Sequence, residues 1–524
     1  MTMLPLRGVP RHQVLNTFSI AVIVLAIASF TILGSRGAIL YVSVDSAHPS
    51  APYATWETAA QTIQDAVDGS TNGDLVLVTN GVYRTGGSEH LGTNRVAILK
   101  PIVVQSVNGP EQTVIEGYQM PGTINGSDAI RCVYLAAGAS LNGFTLTNGA
   151  TTETYYWGGG VACESMFGNE TVSNCVIINN SAFYDSGGGD GGAYYNCKFI
   201  NNRAASNGGA SLGSYMFNCL LANNYAGQGG GTHSCLIDGC VVVGNTAGDG
   251  AGSYNGRSQD SLIVSNVASG VFGGGGTRGT TLINCTVAYN VYNGAFLPKI
   301  GGTLGSACYN CIVYFNTPKN YSGGSFVNSC FTPATNGDFN FTVPPLFVNA
   351  AAGDFHLQTN SPCINSGNRG FNEAFSAFST PDGNARFVGA VDVGAYELQS
   401  SPSLLSYYWA QQYGLATDGS ADFLDNDGDG MNNYQECVAG TQPLDASSVL
   451  KLLPPVRTNI DSGFVLNWQG VSGKTYYLQR AVGLLQPLAF TNIQTGISGP
   501  TGTLTTTDSD ATNDGPYFYR VGVQ

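Results

Sequence analysis

The clearest chemistry in this chain lies in twelve residues, DNDGDGMNNYQE, from Asp425 to Glu436. Acids at the first, third, fifth and twelfth positions, with glycine at the sixth, would set a ring of oxygens around a hard divalent cation. Asp425, Asp427 and Asp429 would each supply a carboxylate, Met431 its backbone carbonyl, Asn433 a direct or water-mediated contact, and Glu436 both oxygens. Gly430 would make the sharp turn. The pattern points to calcium. The competing reading is a solvated acidic loop, yet three acids within five residues repel one another unless a cation neutralises them.

A second set of groups is more diffuse. Asp238 and Asp260 stand 22 residues apart, with Arg257 beside the second. Stacked on adjacent turns of a repeat, they would bring two acids and a base together, a minimum for chemistry at a glycosidic bond. Solvated corner residues are the plainer reading of the same three. Tyr184, Tyr194, Tyr195, Tyr215 and Tyr254 lie beside glycine-rich stretches, where their rings would stack on sugar faces or simply pack loops. The repeats hold no paired Asp-Asp and no tight acidic cluster, so no catalytic set stands out.

These groups sit on a repeat. NCVIINN from Asn174 returns as NCKFINN, NCLLANN, GCVVVGN, DSLIVSN, NCTVAYN and NCIVYFN, at intervals of 21 to 26 residues. A period of this length signifies a solenoid whose coils bury their apolar faces only by stacking. The apolar run is β-rich and too short for a helix, which predicts a strand with a turn at each end. The closing Asn tolerates left-handed backbone, and Asn180, Asn202, Asn224, Asn245, Asn266 and Asn290 would form a hydrogen-bonded ladder. Glycine runs before most phrases predict a second tight corner. Cys175, Cys197, Cys219, Cys240, Cys285 and Cys311 share one register, at a coil spacing of about 4.8 Å. That exceeds the roughly 3.5–4.5 Å between Cβ atoms of a disulfide, so a stack of free thiols is expected. Cys308 and Cys311 form a lone CxxC with no second pair at zinc spacing.

From Tyr41 to about Leu398 the chain resembles the right-handed parallel β-helix superfamily that includes pectate lyases. The resemblance implies an all-β solenoid with polysaccharide laid along one face, bound there or cleaved by polysaccharide lyase or glycoside hydrolase chemistry. The opening segment from Tyr41 is similar to that of many bacterial secreted β-helix proteins. There Thr55 is expected to cap a helix whose Trp56, Ala59, Ala60, Ile63 and Val67 share a face and plug the open end. PLFVNAAAGDFHLQTNSPCINSG and DGNARFVGAVDVGAYE, between Pro345 and Glu397, resemble the choice-of-anchor Q terminal segment. The calcium loop is similar to single EF-hand-like or dockerin-like modules, preceded by a short helix in SYYWAQQYGL. GGA at Gly191 and Gly208, and FINN at Phe199, resemble repeats of β-helical surface adhesins, which keeps a non-catalytic adhesin or structural role as the alternative to carbohydrate recognition.

Beyond Val449, short alternating strands separated by turn residues suggest a small fibronectin-III-like sandwich with Trp468 and Tyr519 in its core. The expected organisation is therefore 1–38 signal peptide or anchor, 39–398 β-helix with its terminal segment at 345–398, 402–448 calcium-binding linker, and 449–524 sandwich. Arg7, Arg11 and His12 precede a 16-residue apolar run and a small-residue stretch, the layout of an export signal, with an uncleaved membrane anchor as the other possibility. A secreted or cell-envelope location follows. Charged residues are only 10% and the net charge is −14, which argues against nucleic acid; the β-helix resemblance implies an extracellular polysaccharide or cell-surface glycan as the partner.

Overall fold

The computed structural model describes residues 37–155, 157–333, 339–371, 379–457, 463–482, 490–512 and 515–524. The apolar N-terminal run lies outside these residues. Among them, no helix is long and apolar enough to cross a membrane.

Each repeat phrase forms a three-residue strand, such as Val176–Ile178, Lys198–Ile200, Leu220–Ala222 and Val241–Val243. Successive strands pair parallel and in register, Ile177 beside Phe199 beside Leu221. They belong to an 11-stranded sheet, here sheet 2. The strands before them, including Ala193–Tyr195, Tyr215–Phe217, Leu236–Asp238 and Arg257–Gln259, belong to a 12-stranded sheet 1. A further 11-stranded sheet 3 carries Gly189–Asp190, Ser211–Leu212, Thr232–His233 and Ser253–Tyr254, and a six-stranded sheet bridges sheets 2 and 3. The chain is thus a right-handed parallel β-helix. Side chains alternate across each strand, so the middle residues of the repeat triplets, Ile177, Phe199, Leu221 and Val242 among them, enter one continuous core.

Four corners per coil, rather than two, adopt left-handed backbone. In one coil they are Gly208 (φ +65°), Gly213 (+63°), Asn218 (+53°) and Asn223 (+57°). The ladder asparagines are not among them. The residue just before each does the turning, as at Asn179 (+58°) and Asn201 (+55°), which frees the next Asn to point inward. Asn180 donates from Nδ2 to Oδ1 of Asn202 at 3.0 Å, Asn202 to Asn224 at 3.0 Å, and the row continues through Asn245, Asn266, Asn290 and Asn316 to Asn320. Each Oδ1 also accepts the backbone N–H of the preceding rung, and each second amide hydrogen reaches a carbonyl, as from Asn202 to Ile177 at 2.8 Å. The amide capacity is filled on both sides. The later glycines of each run lie against this ladder. A Cβ on Gly252 would stand 2.5 Å from the Gly276 carbonyl oxygen and 3.0 Å from Asn266 Nδ2.

All cysteines of the described residues are free. The thiol row is interrupted by hydroxyls. Ser261 Oγ accepts the Cys240 N–H at 3.1 Å, and Ser329 Oγ accepts that of Cys311 at 3.0 Å. Cys308 instead fills a core position of sheet 1, level with Leu282 and Phe326.

The plug helix starts later than the sequence suggests. Trp56–Thr58 is a single 3-10 turn, Thr55 makes no side-chain cap, and Trp56 is exposed with its edge against Tyr41. The α-helix, α1, spans Ile63–Gly69 and is capped by Thr62, whose hydroxyl accepts the Asp65 N–H. Ile63, Ala66 and Val67 close the core beneath it.

At the other end the chain does more than stop the solenoid. After the hairpin Phe347–Asn349 with Asp354–Leu357 it folds back along the outside of sheet 2. Phe347, Phe355, Ile364, Val393 and Ala395 pack on Leu262, Val264, Ala288 and Ile312. We call residues 345–398 the strap. Two short helices follow, α2 (Tyr407–Gln412) and α3 (Asn433–Ala439), the second opened by an Asn432–Gln435 capping box. Five strands then form a small sandwich, Phe464–Gly470 with Gly502–Asp508 in one sheet, and Tyr476–Ala481 between Thr491–Ile497 and Phe518–Val523 in the other. Trp468 and Tyr476 are its buried centre. Tyr519 sits at the edge, half-buried, donating its hydroxyl to Asp508 at 3.0 Å.

Candidate functional site

The outer face of sheet 1 holds a cleft of about 350 Å³ lined by Tyr195, Tyr215, Phe217, Leu236, Ile237, Asp238, Arg257 and Gln259. Strand register builds it. Tyr195, Phe217, Asp238 and Gln259 occupy one outward row, and Tyr215, Leu236 and Arg257 the parallel row two residues earlier. The Tyr195 and Phe217 rings lie nearly parallel, centroids 5.1 Å apart at 9°, and Phe167 from a neighbouring loop sets its edge against Tyr215 at 5.0 Å. One half of the cleft is therefore an aromatic platform. The other half is polar: Asp238 is 6% exposed, and Arg257 donates from Nη2 to Gln259 Oε1 at 2.9 Å. A ring platform beside a carboxylate and a guanidinium is suited to a flat, hydroxyl-bearing ligand, with apolar faces stacked and polar edges hydrogen-bonded.

The structure brings together four of the sequence candidates, Asp238, Arg257, Tyr195 and Tyr215. It separates the rest. Asp260 is 0% exposed and sealed beneath the strap, where its Oδ1 lies 3.2 Å from Nε of the equally buried Arg386 and accepts the Asn284 amide at 2.8 Å. No substrate reaches it, so it cannot share chemistry at the cleft surface with Asp238. Tyr194 is the middle residue of its strand and lies in the core, edge-on to Phe199. Tyr254 projects from sheet 3, stacked on His233 at 4.9 Å with Arg278 over its ring at 5.1 Å. Tyr184 is half-exposed in the loop after Ser181–Ala182, away from the lining. Phe217, Leu236 and Gln259 were not singled out from the sequence. Their signal was available, because the repeat interval already places Phe217 one coil from Tyr195 and Gln259 one coil from Asp238.

The acidic loop forms a separate cluster. Carboxylate oxygens of Asp425, Asp427 and Asp429 lie within 4.8 Å of one another. Asp425 is fixed by backbone N–H groups, Gly428 to Oδ1 at 2.8 Å and Gly430 to Oδ2 at 3.0 Å, with Gly430 at φ +96°. Asp427 and Asp429 each use one oxygen to accept the backbone N–H two residues on, at 3.2 and 2.7 Å. Their other oxygens, together with Glu436 Oε2 and Asn433 Oδ1, are buried without a hydrogen-bond partner. Glu436 is 0% exposed, and burial together with the charges of Asp427 and Asp429 pushes its carboxyl up to about 7. Several acceptors converging without donors fit a cation and fit little else. Asn433 anchors the arrangement by donating from Nδ2 to the Ala421 carbonyl at 2.8 Å.

The chain matches no protein-family model and no curated protein. Among solved structures it is similar to a pectate lyase, at 18% identity and a TM-score of 0.43, over 69% of this chain and 97% of that one. It is also similar to a rhamnogalacturonan lyase, at 14% and 0.32 over 60% and 91%, and to the A-module of a mannuronan C-5 epimerase from Azotobacter vinelandii, at 13% and 0.29 over 53% and 89%. Likeness at this level concerns the path of the backbone and says nothing about the residues of the cleft.

Proposed function

We propose that this is a secreted or cell-envelope protein that binds an extracellular polysaccharide or cell-surface glycan in the sheet 1 cleft. The observation that carries the reading is the pairing of the Tyr195–Phe217–Tyr215 platform with Asp238, Arg257 and Gln259 in one cavity. Its volume of about 350 Å³ suits one or two sugar rings. Binding rather than hydrolysis is favoured by the acids. Hydrolysis needs two carboxyl groups some 5–10 Å apart across the bond, and Asp238 is the one acidic side chain among the described lining residues. Asp260, the second acid in sequence, is occupied by Arg386.

Calcium is the proposed cofactor, held by Asp425, Asp427, Asp429, the Met431 carbonyl, Asn433 and Glu436. Its role is structural. Glu436 lies on α3, whose Tyr434, Cys437 and Val438 face a second cavity shared with Phe341 of the solenoid end and Lys474 of the sandwich. Lys474 donates to the Cys437 carbonyl at 3.5 Å and lies over the Phe339 ring at 5.0 Å. A cation fixing Glu436 would thus fix the helix at which solenoid and sandwich meet.

Affinity electrophoresis in gels carrying neutral and acidic polysaccharides tests the reading. Retardation of the wild type by at least one glycan, lost in Tyr195→Ala, supports it, and equal mobility across a broad panel overturns it. Hydrolysis, followed as new reducing ends without unsaturation, should stay at background.

A further inference from the structure

Asp260 breaks a pattern. In the outer corner row of the solenoid the neighbouring positions are Asn174, Asn196, Asn218, Gly239, Asn284, Asn310 and Asn328, all left-handed, with an amide-to-amide bond from Asn310 to Asn284 at 2.9 Å. Asp260 is the one carboxylate among these corners. A carboxylate there is matched instead to Arg386 of the strap, 126 positions later in the chain, and both side chains are fully buried. Gln259, next to it and 4% exposed, faces both ways: its Nε2 donates to Asp260 Oδ2 at 3.3 Å and its Oε1 accepts from Arg257 at 2.9 Å. The order Arg386, Asp260, Gln259, Arg257 alternates cation, anion, dipole and cation. The amide can lie only one way round, since reversing it would set N–H against guanidinium and oxygen against carboxylate.

We infer that Gln259 is a positioning residue that ties the strap to the cleft, holding the Arg257 guanidinium at the place set by the buried Asp260–Arg386 pair. This rests on the carbohydrate-binding reading for its functional meaning. The geometry stands apart from it. Nothing in the solenoid repeat requires glutamine here, because the same outward row holds Tyr195, Phe217, Asp238, Ile283 and Tyr309 on neighbouring coils. Glutamine is the residue whose two amide ends satisfy a carboxylate and a guanidinium at once. The strap then serves the site as well as the core, and arginine placement in the cleft depends on a segment more than a hundred residues away.

The test reads Arg257 directly, by its rate of phenylglyoxal labelling measured by mass spectrometry in the full chain, with Arg203 as internal reference. Gln259→Met, which keeps length but loses both polar contacts, should raise labelling at Arg257 about tenfold and leave Arg203 unchanged. Gln259→Glu, which keeps the bond to Arg257, should stay near the wild-type rate while lowering the melting temperature, because it places a second carboxylate against Asp260. Arg386→Lys, which keeps the charge but not the contact geometry, should raise labelling about threefold. Arg257 rates unchanged in both Gln259→Met and Arg386→Lys would overturn the inference, as would a rise of equal size at Arg203, which would mark general loosening. In the same preparations, Gln259→Met should weaken retardation by whichever glycan retains the wild type about tenfold. If no glycan retains the wild type, the binding reading fails while the labelling still decides the relay.

Discussion

Two rows of the same solenoid behave in opposite ways. The inward row at the corner after sheet 2 is Asn on coil after coil, from Asn180 to Asn316. The outward row of sheet 1 changes at nearly every step, through Tyr195, Phe217, Asp238, Gln259 and Ile283. Repetition is what stacking demands, since each Asn both supplies and receives the bonds of its neighbours and no single rung is free to differ. An outward row feels no such demand. Where it departs from solvated polar residues and collects rings, an acid and an arginine, the departure needs another cause, and a ligand is the one we propose.

The largest effect that would break this comparison is expected at the ladder. Asn202→Ala removes two accepted and two donated bonds from a fully buried position and should cost about 3 kcal/mol, read from the chemical denaturation midpoint. Asn201→Gly, one residue earlier but exposed and at φ +55°, should change stability by no more than about 0.5 kcal/mol. Equal losses at both positions would erase the distinction between ladder and corner.

Calcium removal should act on a different region. Chelation leaves Asp425, Asp427, Asp429 and Glu436 crowded without a counter-charge, so limited proteolysis should cut between about 400 and 448 while the solenoid, with its own core, stays whole. Glu436→Gln should reproduce the pattern in the presence of calcium. Digestion identical with and without chelator would remove the structural cation from the account.

A smaller effect is expected in the thiol row. Ser261 and Ser329 already occupy two of its rungs with the hydroxyl bonded, so Cys219→Ser should lower stability by only about 1 kcal/mol. Alkylation of denatured, unreduced protein should modify all of Cys175, Cys197, Cys219 and Cys240; a bridged neighbouring pair would reject the stack.

The smallest effect concerns the strap. His356 is bonded at both nitrogens, Nδ1 to Asp354 at 2.7 Å and Nε2 to Asp382 at 2.9 Å, with its ring against Tyr396. The bond to Asp382 chiefly, and that to Asp354, raise the imidazolium above its ordinary range, while Asp382 is held down at about 2 by His356, Thr380 and the Asn384 N–H. The His356 contribution is full below about 6.5 and is lost as pH rises through its raised value; that of Asp382 is full above about 3.9 and is lost as pH falls through about 2. Hydrogen exchange of peptides covering 379–384 should therefore be slowest between about pH 4 and 6.5 after correction for intrinsic rates, and Asp382→Asn should flatten that dependence. A profile unchanged by the substitution would show that His356 does not hold the strap.

Much of the fold was legible because its cause is local and repeated. The interval of NCVIINN and its relatives by itself places Asn202 under Asn224 and Cys197 beside Cys219. What covers a row is not legible that way. Asp260 reads as a surface acid on its own coil, and its burial depends on Arg386, brought over it by the folding back of the strap. The alternation within a triplet separates Tyr194 from Tyr195, one in the core and one in the cleft, but only once the three-residue strand limits are known. The acidic cluster of Asp425, Asp427 and Asp429 was legible because its residues lie within five positions of one another, whereas the cleft draws on four coils and acquires its shape only when they stack.

The central claim is that the non-repeating row of sheet 1, and not aromatic surface in general, is the glycan site. Isothermal titration of a retained oligosaccharide against the wild type, Tyr195→Ala and Tyr254→Ala tests it most directly, since Tyr254 offers a comparably stacked ring on sheet 3. The account predicts a loss of roughly tenfold or more in affinity for Tyr195→Ala, the scale of a lost ring platform, and no change for Tyr254→Ala. Equal affinity in wild type and Tyr195→Ala, or a loss confined to Tyr254→Ala, would contradict it.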